Sequence, residues 1–189
     1  FIGYGNNPPI FRWDNNAKLA VQFVLNYEEG GENTVLNGDE QSEIFLSEII
    51  GAQPVIGKRH MNMESIYEYG SRNGFWRIYN EFTNRNLPLT IFGVGLALEK
   101  NTEVCDAIKN AKFEVASHGY RWIDYQHIDP KIEEEHIIKC YQTIKNIASV
   151  PTSNRSFCKR KCFISNDPGF IEKLFEAAPI IFEDPDFFD

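Results

Sequence analysis

Positive charge is scarce in this chain of 189 residues: 19 Lys and Arg stand against 27 Asp and Glu, a formal net charge of −8. Nucleic acid and anionic membranes both need basic patches, so neither is expected as a partner. No apolar run is long enough to cross a bilayer, and Asn6, Asn7, Pro8 and Pro9 interrupt any signal-peptide core. The expectation is a soluble, cytoplasmic protein. Phe1 in place of Met reads as a fragment or a processed product. Only four cysteines occur, too few for a disulfide scaffold at this length. Cys105 and Cys140 read as small buried hydrophobes on helix faces, and Cys158 and Cys162 as free thiols. Repeats and low-complexity segments are also lacking. What remains is length enough for one domain with a sizeable core.

Residues 1–16 read as an extended lead-in, followed by a first strand over residues 19–25. Residues 29–37 form a Gly, Glu and Asn loop, and residues 43–50 fit strand and helix equally. Phe75, Ile78, Tyr79 and Phe82 predict a helix starting near Tyr69 or Asn73 and ending at Asn84. Residues 87–94 read as a buried strand with Pro88 tolerated at its beginning. Asn101 or Thr102 caps a helix carrying Val104, Ala107, Ile108 and Ala111. A third strand over residues 112–117 runs into His118 and Gly119. Asp129 and Pro130 then open a helix lasting to about Ala148. This alternation predicts an α/β fold with parallel strands and right-handed crossovers. The pattern changes after Val150. A polar link, one short helix opened by Asp167 and Pro168, and an acidic, Phe-rich end make residues 151–189 a divergent tail distinct from the domain at 1–150.

Two strand ends carry chemistry. Asn26, Tyr27, Glu28 and Glu29 follow the first, where Gly30 and Gly31 let the backbone turn. Ser117, His118, Tyr120, Arg121, Trp122 and Asp124 follow the third. Strand carboxyl ends in parallel α/β folds are where substrates bind. Neighbouring carboxylates do not ionise independently, and desolvation tunes one of them toward a general base. An imidazole takes or gives a proton near neutral pH. Together they suit water attack on an amide or ester. A third polar and aromatic cluster, residues 60–72, includes Glu64 and Arg72, which either position a polar substrate or pair with each other. Metal chemistry is not indicated: a second His four residues after His118 would make a ligand pair, and position 122 is Trp.

Three stretches carry a resemblance: residues 21–32 (VQFVLNYEEGGE), 59–72 (RHMNMESIYEYGSR) and 116–125 (ASHGYRWIDY). Over about residues 1–148 the chain resembles the polysaccharide-deacetylase superfamily, and within it the cofactor-independent allantoinase branch of urate catabolism. The resemblance implies a distorted (β/α) barrel of the NodB-like type. Metal-dependent members share an Asp-Asp motif and a His-x-x-x-His motif. Glu28 then matches the catalytic base, Glu29 the metal-binding Asp and His118 the first metal His, while Trp122 replaces the second.

The implied reaction is metal-independent hydrolysis of the hydantoin ring amide of allantoin to allantoate, with no cofactor. Glu28, Glu29 and His118 would handle protons, and Asn26, Tyr27, Glu64, Arg72, Trp122 and Asp124 would contact a small allantoin-like substrate. The alternatives are a deacetylase of N-acetylated sugar polymers such as chitin, and a non-catalytic truncated paralogue. No counterpart of the later barrel units follows Val150, so a barrel cut short after about three βα units is expected. Its open edges would favour association with a second copy of the chain.

Overall fold

A computed structural model describes residues 3–10 and 13–147. The short helix expected after Asp167, the tail and the Cys158–Cys162 pair lie outside the described residues. A three-stranded parallel sheet in the order β1-β2-β3 organises the rest, with β1 at Val24–Tyr27, β2 at Thr90–Gly93 and β3 at Glu114–Ser117. The register aligns Val24 with Thr90 and Glu114, and Asn26 with Phe92 and Ala116. Side chains alternate between faces along each strand. Tyr27, Ile91 and Val115 are therefore buried on one face, while Val24, Asn26 and Glu114 stand exposed on the other.

Helices α2 (Phe75–Asn84), α3 (Gly95–Lys100), α4 (Thr102–Ala111) and α5 (Pro130–Ile147) cover the first face, and α1 (Met61–Tyr69) precedes α2. The buried residues of α2, α3, α4 and α5 join the strands in one core holding Ile91, Leu98, Val104, Ile108, Cys140 and Ile144, and Met63 and Tyr67 of α1 are buried outside it. Burying a Leu or Ile side chain this fully contributes about 1.5–3 kcal/mol. Asn101 caps α4, accepting from the Val104 amide at 3.2 Å, and Lys112 ends it in the left-handed region at φ 56°. The expected α/β alternation and the capped starts near Asn101 and Asp129 match these elements. Cys140 is buried and Cys105 half-buried.

Several boundaries differ. The first strand begins at Val24 because β2 offers paired residues only from Thr90 onward; Leu19 and Val21 remain exposed. Residues 43–50 form neither strand nor helix, and Leu46 takes a positive φ of 69°. The helix expected from Tyr69 starts eight residues earlier, at Met61. Met63 and Tyr67, four apart, bury one face of α1 among polar neighbours that mask its periodicity. A π turn at Gly70–Gly74 joins α1 to α2. The apolar residues from Leu87 also hide α3, since Val94, Leu96, Ala97 and Leu98 continue them past β2 with only Gly95 between.

Candidate active site

The open face of the sheet ends, at its carboxyl edge, in Glu28 and His118. Glu28 Oε1 lies 2.7 Å from His118 Nε2. Asn26 Nδ2 donates to the same Glu28 oxygen at 3.3 Å. The Phe92 ring, on the middle strand of that face, lies 5.8 Å from the His118 ring. Two polar strand ends 90 residues apart in sequence thus meet as one acid/base pair.

The adjacent carboxylate points elsewhere. Glu29 packs on Gly70 at the start of the π turn, where an added Cβ would lie 1.9 Å from Glu29 Oε1. Its Oε2 accepts from the Glu28 amide at 3.3 Å. Burial raises its pKa above the ordinary carboxylate value, backbone hydrogen bonds oppose the rise, and the charges of Glu28 and Glu32 add to it. The two neighbouring acids therefore occupy different environments, one paired with an imidazole and one desolvated against a helix. π turns recur at functional sites, and here the turn supplies the Gly that makes room for a carboxyl group.

The remaining expected residues fall into three groups. Trp122 stands beside the site, edge-on to Phe45 at 5.4 Å and to Tyr67 at 5.9 Å. Tyr67 itself donates from its hydroxyl to the Phe45 carbonyl at 2.8 Å. Asp124 opens the short helical turn at Tyr125–His127, accepting from the Gln126 amide at 2.8 Å. Tyr27 was expected to face substrate, but it is buried on the helix-covered face, where its hydroxyl accepts from Asn101 Nδ2 at 3.0 Å. Strand alternation turns it away from Asn26 and Glu28. Glu64 and Arg72 do not pair with each other. Glu64 binds Arg59, with Nε to Oε2 at 2.9 Å, and Arg72 binds Glu68 at 2.9 Å in an exposed pair one helical turn apart.

Sequence reasoning assigned no role to the residues that connect the two strand ends. Arg121 is almost enclosed, its side chain 10% exposed, and it reaches three acceptors in the loop after β1. Its Nε donates to the Gly31 carbonyl at 3.0 Å, and its Nη2 to the Glu32 carbonyl at 3.1 Å and to Asp39 Oδ2 at 2.6 Å. The Trp122 amide donates to the Gly31 carbonyl at 2.9 Å, and Lys100 Nζ to the Gly30 carbonyl at 2.9 Å. Asp39 lies 82 residues from Arg121, and no spacing rule links them.

A metal, implied for the metal-dependent relatives, does not fit these side chains. The second His position holds Trp122, whose indole nitrogen has no free lone pair and whose ring is packed among aromatics. His118 Nε2 is already engaged by Glu28, and Nδ1 is buried without a partner among the described residues. Glu29 is folded onto Gly70. Among the described residues no three His, Cys, Asp or Glu side chains converge.

Comparison with known proteins agrees with this architecture. The polysaccharide deacetylase family matches residues 61–159, just over half of the chain. A Schizosaccharomyces pombe protein described as "Putative polysaccharide deacetylase" is 46% identical over 147 residues, which cover 77% of this chain and 46% of that protein. The crystal structure of a "probable Polysaccharide deacetylase" from Pseudomonas aeruginosa PAO1 superposes with a TM-score of 0.72 at 53% identity, over 77% of this chain and 48% of that one. Puue allantoinase superposes with a TM-score of 0.77 at 42% identity, over 93% of this chain and 56% of that one. This chain spans about half the length of these relatives. The family match includes His118 and the π turn against which Glu29 packs, and it runs past the change in composition at Val150. By sequence match and by fold, the chain belongs to the polysaccharide deacetylase family.

Proposed function

We propose that this chain carries one wall of an amidohydrolase site that opens the hydantoin ring of allantoin to allantoate by acid/base water attack. The observation that carries the reading is the Glu28–His118 pair at 2.7 Å on the open face of the sheet, with Trp122 where a second ligand His would stand. Glu28, joined to His118, is the general base; Glu29, turned onto Gly70, is not in position to share that imidazole. Water gives a proton to the pair as its oxygen bonds to the ring carbonyl carbon. The C–N bond breaks, that proton passes through His118 to the departing nitrogen, and the products are a ureido NH₂ and a carboxylic acid that releases the second proton of the water to solvent as it becomes a carboxylate. Positioned proton transfer of this kind contributes roughly 10²–10⁴-fold in rate. Asn26 orients Glu28, and Trp122 and Asp124 border the substrate. Glu64 and Arg72, each held in an ion pair, are left without a role in it.

The likeness to Puue allantoinase over 93% of the chain supports this substrate. The likeness to the Pseudomonas protein at higher identity supports a second one, an N-acetylated sugar polymer. The open sheet face, with Val24 43% exposed, fits a barrel whose remaining strands come from further chain or from a second copy. The deciding experiment incubates purified protein with allantoin and excess chelator and follows allantoate. Product formation is expected. No product, or complete dependence on added zinc, would sink the reading, and acetate release from chitin oligomers would replace it with the second.

A further inference from the structure

β1 and β3 are not neighbours: β2 lies between them, so their axes stand about 9.6 Å apart, two strand spacings. Glu28 follows β1 directly and keeps its register, the Val94 amide donating to the Tyr27 carbonyl at 2.9 Å and the His118 amide to the Gly93 carbonyl at 3.0 Å, and the loop after Glu28 bends across the end of β2 to the loop after β3. Gly31 makes that crossing possible. An added Cβ there would lie 2.5 Å from Val94 Cγ1, 3.2 Å from the Glu28 carbonyl and 3.3 Å from the Trp122 amide. The Gly31 amide donates back to the Glu28 carbonyl at 3.0 Å, closing the turn that carries Glu28. The Gly31 carbonyl faces the other way, toward β3, and receives both Arg121 Nε and the Trp122 amide.

We propose that Arg121 is a positioning residue for the acid/base pair: its guanidinium straps the Glu28–Glu32 turn to the loop after β3 and so holds Glu28 on His118. A planar fork suits this task, since its three acceptors, Gly31 O, Glu32 O and Asp39 Oδ2, are fixed by one rigid group. Asp39 supplies the charge that neutralises the enclosed guanidinium, and its Oδ2 is itself fixed by the Thr34 amide at 2.8 Å. Arg121 is three residues from His118 in sequence, so the strap and the imidazole move as one loop. Lys100 anchors only Gly30 and Asn37 and does not reach the β3 loop. The inference rests on the reading of Glu28 and His118 as the reacting pair.

Two measurements on the full chain separate the strap from that reading. The His118 ring proton bonded to Glu28 is observed by proton NMR, with E28Q as the control that removes its carboxylate partner. The signal should be present in the native protein and lost or moved upfield in E28Q and in R121Q, with a smaller change in R121K. With allantoin, R121Q should lower kcat by roughly 10²-fold, the scale of an ångström-size misplacement, while KM changes little. Added guanidinium should recover part of the kcat of R121A, and the ring proton signal should return with it. If R121Q does not fold, D39N, which removes only the carboxylate partner of the strap, gives the same comparison. No turnover in the native protein would refute the substrate reading while the ring proton still decides the strap. Absence of that proton from the native protein, or its persistence unchanged in the folded R121Q or D39N variant, overturns the proposal.

Discussion

Gly70→Ala tests whether the acidic strand end and the π turn are one device. Gly70 has helical angles, φ −58° and ψ −51°, and in such a conformation Ala is favoured over Gly by about 1 kcal/mol. Conformation alone therefore predicts that G70A stabilises the protein. The new Cβ, however, would lie 1.9 Å from Glu29 Oε1, 2.6 Å from its Cδ and 3.1 Å from its Cγ. Restoring ordinary carbon contact distances requires the carboxyl tip to move by roughly 1.6–2.1 Å. The tip is flexible, so the backbone stays in place, but the hydrogen bond from the Glu28 amide to Glu29 Oε2 is lost. That bond contributes about 1 kcal/mol, which offsets the helical gain. G70A alone is thus expected to be near neutral. In an E29A background the obstruction is gone, and the same substitution should stabilise by about 1 kcal/mol. Urea denaturation of the four proteins in the cycle measures the coupling, expected near 1 kcal/mol. Equal stabilisation by G70A in both backgrounds would refute the contact on which the separation of Glu28 from Glu29 depends.

Further outcomes follow from burial and charge. Glu29 has a folded pKa above its unfolded value of about 4.5, so the folded state holds its proton to higher pH. Its contribution favours folding below the unfolded value and is lost as pH rises through the folded one; relative to E29Q, the native protein should lose stability upward from about pH 4.5, and parallel urea midpoints would contradict this. His136 behaves oppositely. Burial first, then the nearby Lys139 and Arg121 charges, depress its pKa, while Glu135 opposes them, and its Nδ1 meets the Tyr125 hydroxyl at 2.9 Å. The native protein should gain stability relative to H136Q as pH rises toward about 6.5, and a flat difference would rule this out. Leu98→Ala removes a fully buried side chain that packs against Gly93, and should cost about 2–5 kcal/mol in calorimetry or urea unfolding. A loss below about 1 kcal/mol would mean that the core around β2 closes over the cavity.

The order of strands and helices, helix caps and turn residues follow from local properties, and they were legible. Asn101 and Asp129 marked helix starts because capping needs only a side chain and an amide two or three residues away. The two polar strand ends could be paired from the α/β alternation alone, since parallel strands present their carboxyl ends on one side. Helix α1 was obscured because its buried face is two side chains wide, Met63 and Tyr67, amid polar neighbours. Three further facts are tertiary. Tyr27 faces the core because pairing, not sequence position, fixes which side of β1 is covered. Glu28 and Glu29, identical in type and adjacent in the chain, are divided by what lies opposite each: an imidazole just past β3 for one and a glycine in a π turn for the other. The arginine that ties their loop to His118 has its partners 82 to 90 residues away. Sequence by itself determined which residues are chemically able to form the site. Only the tertiary structure decided which of them meet, because contact across a sheet depends on register and on the path of a loop, neither of which is written in local spacing.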